Sequence, residues 1–256
     1  MPVAKAVPVP RHSRKEPSQQ GIGFMPYVIP APTPVSVPVV GRAERFPVNR
    51  IYCVGRNYVA HAQEMGYTGR EPPFFFIKPA DSCLVVEPGQ TAQLPYPSLT
   101  QDFQHEIELV ACIGKGGMNI PAAEARQHIW GYAVGLDMTR RDLQGEQKKQ
   151  GRPWCIGKTF EAASPIGAIT PAAEVAAQIE SAEIALAVNG QTRQKSDVSK
   201  LIWNLGEIIE HLSRAWLLKP GDLIYTGTPE GVAALRPGEV LEGSVSGLTP
   251  IRLQVV

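Results

Sequence analysis

Glycine and proline, 24 of each, together occupy 48 of the 256 positions, against a usual share of roughly 12 %. Helical bundles have little use for so many turn residues, whereas sheets with tight corners need one at most strand ends. The runs between these punctuators are short and apolar. Hydrophobic residues make up 43 % of the chain, enough for one sizeable core. The expected fold class is therefore α+β and β-rich, in a single domain.

Several function classes drop out early. Lys and Arg number 25 against 24 Asp and Glu, a formal charge of +1, which is the wrong balance for an electrostatic binder of nucleic acid or anionic membrane. No apolar run approaches the roughly 18–20 residues of a membrane span. Cys53, Cys83, Cys112 and Cys155 are scattered, with no C-x-x-C pair. That pattern fits a reducing cytoplasm and excludes a zinc ribbon or a disulfide framework.

The first 50 residues hold 10 of the 24 prolines. Residues 1–24 carry few large apolar side chains and read as a disordered extension, with Met25 a candidate natural start. Residues 25–45 read as a Pro-rich extended arm, and 46–256 as the single catalytic domain. Strands are expected at 51–54, 74–78, 106–113 and 131–137, with a helix opening near Pro121 between the last two. A helix over Tyr58–Met65 would be capped by Asn57 and stopped by Gly66. Gly114–Gly117 reads as a hairpin-like turn. Residues 183–188 and 191–195 form a hairpin around Asn189-Gly190. Asp197 is placed as the cap of an amphipathic helix through Leu201, Leu205, Ile208, Leu212 and Trp216, ended by Pro220-Gly221. Strands at 222–226, 239–242 and 251–255 complete the chain.

The residues that could carry chemistry cluster at strand ends. On a strand, Glu106 and Glu108 share a face with Val110 and Cys112, so two carboxylates stand at one end of a buried strand. Side by side they repel, and burying them requires a cation. Hard carboxylate oxygens suit Mg²⁺ or Mn²⁺; a solvated strand end is the plainer alternative. Asp137 follows the apolar run Gly131–Leu136, where it is either a third ligand or a turn residue. His61 and Glu64, at i and i+3 on one helical face, can form a base and its orienter, or an ordinary surface pair. Lys158 and Lys78 end apolar runs, so each is paired, faces a cavity, or snorkels. Thr226-Gly227-Thr228 is a tight polar turn after a buried strand.

Taken together, CVGRNYxxHxxEMG (53–66), FFxKP (75–79), HEIEL (105–109), GxDMTRRDLQ (135–144), GRPWxxGK (151–158) and GDLIYTGTPEGV (221–232) resemble the fumarylacetoacetate hydrolase family over about residues 46–256. The resemblance implies a mixed β-sandwich roll and a homodimer. It implies one Mg²⁺ or Mn²⁺ held by Glu106, Glu108 and Asp137. It also implies His61 and Glu64 on a lid helix as the water-activating pair, with Lys158 catalytic beside them. Arg141, Gln144, Lys158 and Thr228 match positions that hold the keto-acid end of the ligand. The RRDLQ-x-E-x-KK-x-GRPW form is most similar to members that hydrolyse fumarylpyruvate or other acylpyruvates, which implies cleavage of a C–C bond in a 2,4-dioxo acid. Ala233 departs from the Gly that many members carry after the turn.

Charge counting extends the reading. Three carboxylates against a divalent cation, Lys158 and Arg141 leave the site at +1. A dicarboxylate substrate then needs a further cation, for which Arg56, Lys78, Lys148 and Lys149 are candidates. The rival readings are a metal-dependent decarboxylase or isomerase of an oxaloacetate-like keto acid on the same fold, and a non-catalytic β-rich interaction module.

Overall fold

A computed structural model describes residues 27–59, 70–175 and 178–256. The expected disordered extension, most of the Tyr58–Met65 helix, and His61 and Glu64 lie outside these residues. The chain divides into Met1–Thr33, whose described residues form no helix or strand, and Pro34–Val256, described from here on.

Two sheets dominate. The larger has eight strands, running in the order Phe74–Pro79, Arg50–Gly55, Leu223–Tyr225, Ile107–Ile113, Ile129–Leu136, Ser164–Ile166, Cys83–Val85, with Thr170–Pro171 also paired to Ile129–Leu136. It is mixed: Leu223–Tyr225 runs parallel to Arg50–Gly55 and antiparallel to Ile107–Ile113. All seven residues of Ile107–Ile113 are buried, because both faces of this central strand are covered. Its odd-numbered side chains (Ile107, Leu109, Ala111, Ile113) enter one core with Ile184, Leu186, Leu241 and Leu253 of the second sheet. Val110 and Cys112 enter another with Val37, Ile51, Cys53 and Tyr225. Alternation along one strand thus builds two cores, as a sandwich requires.

The second sheet has five strands, ordered Gln191–Asp197, Glu183–Val188, Val240–Val245, Ile251–Val255, Thr91–Leu94. Its first two strands form the expected hairpin around Asn189-Gly190, both at positive φ. Among the described residues no helix is long and apolar enough to cross a membrane.

Three expectations need correction. Asp197 does not cap the amphipathic helix; it accepts from the Ser199 N–H at 2.7 Å and opens a 3₁₀ turn, Val198–Lys200. The helix is Leu205–Ala215, opened by a capping box in which Asn204 accepts from the Glu207 N–H and Glu207 accepts from the Asn204 N–H, both at 3.0 Å. It ends before Pro220 because Trp216 turns extended and packs on Tyr52 and Phe75, with ring centroids 5.6 and 6.2 Å away. The segment after Pro121 is a 3₁₀ helix, Ala122–His128. Gly114–Gly117 leads into that helix instead of closing a hairpin; the Gly117 N–H donates to Leu218 O.

Candidate functional site

The site begins where two central strands stop together. Ile107 pairs with Leu136, and the ladder runs one step further as the Asp137 N–H donates to Glu106 O at 2.9 Å. Glu106, Glu108 and Asp137 are therefore neighbours at one end of the sheet. Each can offer an oxygen within 4.8 Å of the others', and they are 6 %, 1 % and 1 % exposed.

Three cations surround them. Lys158 ends the short helix Cys155–Lys158; its ammonium donates to Glu106 Oε2 (2.8 Å), Asp137 Oδ2 (2.6 Å) and Thr139 Oγ1 (2.7 Å). Gly157 brings it there: a Cβ would stand 2.6–2.7 Å from Gln144 Cβ and backbone, so only glycine lets this helix lie on the first turn of helix Arg141–Lys149. Arg141, from that turn, pairs with Glu106 and donates to Gln104 Oε1 at 2.7 Å and Gln144 Oε1 at 3.3 Å. Lys78 is fully buried behind the cluster, 2.6 Å from Asp137 Oδ1, and donates to Ala163 O and Met138 O. Expected at the substrate, it is instead buried against Asp137, with which it forms an ion pair.

Glu108 is the exception. It forms no ion pair among the described residues; its partner is the Gly227 N–H at 2.7 Å. Gly227 sits at φ +102°, a conformation that turns its N–H onto the carboxylate and that a side chain would strain. Burial, with Asp137 and Glu106 adding to it, pushes the Glu108 carboxyl well above its usual range. Burial alone would depress Lys158, but Asp137 and Glu106 outweigh it and hold the ammonium above its ordinary value. A buried carboxylate with no ion-pair partner, beside two more, is a donor set that fits a hard divalent cation. The cavity they line, with Arg56, Arg141, Gln144, Lys158 and Thr228, measures about 20 Å³, the scale of an ion or a water.

A cleft of about 560 Å³ adjoins it, walled by Phe74, Phe76, Trp154 and Trp216 and flanked by Arg56 and Arg152. Arg56 lies over the Phe74 ring at 4.6 Å and 3.8 Å from the Glu71 carboxylate. Lys148 and Lys149 stand in the last turn of helix Arg141–Lys149, and Lys149 is exposed. Sequence reasoning missed Gln194, Arg152, Thr139 and the Gly227 N–H. Gln194 sits in the polar run QTRQKSD, where nothing marks it as the buried member.

A sandwich with a buried, lysine-braced acidic cluster at one sheet end is a scaffold with a site suited to a divalent metal. The chain belongs to the fumarylacetoacetate hydrolase family: residues 50–256 match the model described as Fumarylacetoacetate (FAA) hydrolase C-terminal. It is 48 % identical to a fumarylpyruvate hydrolase of Ralstonia sp over 185 residues, 72 % of this chain and 93 % of the relative. A crystal structure of fumarylpyruvate hydrolase from Pseudomonas aeruginosa in complex with Mn²⁺ and pyruvate superposes with TM-score 0.88 at 52 % identity, covering 90 % of this chain and 99 % of that one. A mitochondrial oxaloacetate tautomerase of Arabidopsis thaliana is 38 % identical over 206 residues, 80 % of this chain and 90 % of the relative.

Proposed function

We propose that this chain is a metal-dependent hydrolase of 2,4-dioxo acids, with fumarylpyruvate as substrate and fumarate and pyruvate as products. The observation that carries the reading is the buried cluster Glu106, Glu108, Asp137, in which Glu108 has no ion-pair partner among the described residues. Its likeness to a fumarylpyruvate hydrolase with Mn²⁺ and pyruvate supports the same reading. These three residues would hold Mg²⁺ or Mn²⁺, and a cation there supplies Lewis-acid polarisation of the keto acid.

The chain's own groups would do the rest. His61, oriented by Glu64, takes a proton from water as its oxygen adds to the 4-keto carbon. The C3–C4 bond then breaks; the acyl half leaves as fumarate and the electron pair passes to the pyruvyl half as an enolate. Lys158 holds positive charge beside that developing anion. A proton returned to C3 gives pyruvate. Arg141, Gln144 and Thr228 would orient the carboxylate end. Lys78 changes the earlier charge count. Lys78, Lys158 and Arg141 balance the three carboxylates, so a divalent ion leaves the site at +2. That suits a dianion such as fumarylpyruvate, whose distal carboxylate would lie along the aromatic cleft toward Arg56 and Arg152. The family resemblance also makes a homodimer part of this proposal.

The test is turnover of fumarylpyruvate, acetylpyruvate and oxaloacetate with and without Mn²⁺, with products identified. Equimolar fumarate and pyruvate, formed only with the cation, is the expected result. Conversion of oxaloacetate while fumarylpyruvate persists would overturn the proposal in favour of a tautomerase or decarboxylase.

A further inference from the structure

Gln194 belongs to the edge strand Gln191–Asp197 of the smaller sheet, yet its side chain is fully buried and reaches the site turn of the larger one. Its Oε1 meets the Ile107 N–H at 3.1 Å and His105 Nδ1 at 2.9 Å. Its Nε2 meets Thr228 Oγ1 and Pro229 O, both at 2.8 Å. Two of these partners have no choice of role: a backbone N–H can only donate, and a carbonyl oxygen can only accept. The amide orientation is therefore fixed by the network. Both Nε2 protons are in use, one on Pro229 O and the other on Thr228 Oγ1. His105 Nδ1 must then carry its proton toward Oε1.

The consequence falls on Thr228. Its oxygen accepts from Gln194, its own proton has no other partner among the described residues, and it lines the small cavity beside Glu106, Arg141 and Lys158. We propose that Gln194 is a positioning residue that, by donating to Thr228 Oγ1, orients this hydroxyl to donate its own proton to the carboxylate of a bound 2-keto acid. The inference rests on the keto-acid reading above. Gln194 does not touch the reacting atoms; it acts through Thr228 and through the turn that Pro229 continues.

The experiment is calorimetric binding of pyruvate to the Mn²⁺-loaded protein, with kcat and KM for fumarylpyruvate alongside, for wild type, Gln194→Met, Thr228→Val and the double variant. Each single change should weaken pyruvate binding about tenfold and raise KM more than it lowers kcat. The double variant should be little worse than Thr228→Val alone, because two changes on one path do not add. If Gln194→Met does not fold, Gln194→Glu replaces it: it keeps both Oε1 contacts but draws the Thr228 proton to itself, and the same cycle applies. Additive losses, or a lowered Tm with unchanged pyruvate affinity and KM, would overturn the inference and leave a purely structural glutamine. No pyruvate binding by the wild-type protein would overturn the keto-acid reading itself, and this inference with it.

Discussion

Three carboxylates that look equivalent in the sequence differ sharply in what they oppose. Asp137 is braced by Lys78 and Lys158, Glu106 by Lys158 and Arg141, and Glu108 by a single backbone N–H. Asp137→Asn therefore leaves the buried Lys78 ammonium without its counter-charge and Lys158 with Glu106 alone. Urea unfolding of the metal-free protein should show a loss of about 3–5 kcal/mol, the usual cost of breaking a buried pair. Glu108→Gln removes a buried carboxylate that no cation pairs with directly, and the metal-free protein should keep or gain stability in the same measurement. Equal losses in the two variants would contradict this division of roles. The Glu106-x-Glu108 spacing was legible because a strand has period two. The pairings were not, because Lys158 comes from 52 residues beyond Glu106 and 21 beyond Asp137. A lysine ending an apolar run reads the same whether it faces substrate, as expected of Lys78, or a buried carboxylate such as Asp137.

At the level of elements, the short helices decide where the cations stand. Asp142 opens helix Arg141–Lys149, accepting from Thr100 Oγ1 at 2.6 Å and from the Gln101 and Leu143 N–H groups at 2.9 Å. Burial alone would raise its carboxyl, but these bonds outweigh that and hold it below its ordinary value. A depressed folded pKa adds stability above the unfolded value, near 4, and that stability is lost as pH falls through the folded one. Asp142→Asn should thus lower Tm at pH 7, with the gap to wild type narrowing toward pH 3; a gap independent of pH would contradict the assignment. Gly157→Ala pushes a Cβ into Gln144 and should shift Lys158 off Glu106 and Asp137, costing about 1–3 kcal/mol and most of the turnover, measured by thermal unfolding and kcat. Strands and the Asn189-Gly190 hairpin were legible through alternation and turn chemistry. The helix start was misplaced because its apolar period begins at Leu201, before the chain is helical; the Asn204-x-x-Glu207 capping box carried the correct signal.

At the scale of the whole molecule, the site is a meeting of parts: two strand ends of the larger sheet, two short helices, the Thr226–Thr228 turn, and Gln194 from the smaller sheet. The β-rich class and the carboxylate end of the central strand were readable from punctuation and period. The aromatic cleft was not, since Phe74, Trp154 and Trp216 converge only in the fold. If that cleft holds the distal carboxylate, Arg152→Ala should lower kcat/KM for fumarylpyruvate about tenfold more than for acetylpyruvate, within the ~1–3 kcal/mol of a charge-assisted bond. Equal losses on both substrates would place the distal group elsewhere. The most direct test of the whole account is calorimetric titration of Mn²⁺ into wild-type and Glu108→Gln protein. One ion per chain is expected in the wild type, and binding at least a hundredfold weaker in a variant that unfolds no earlier. Unchanged stoichiometry and affinity in Glu108→Gln would contradict it.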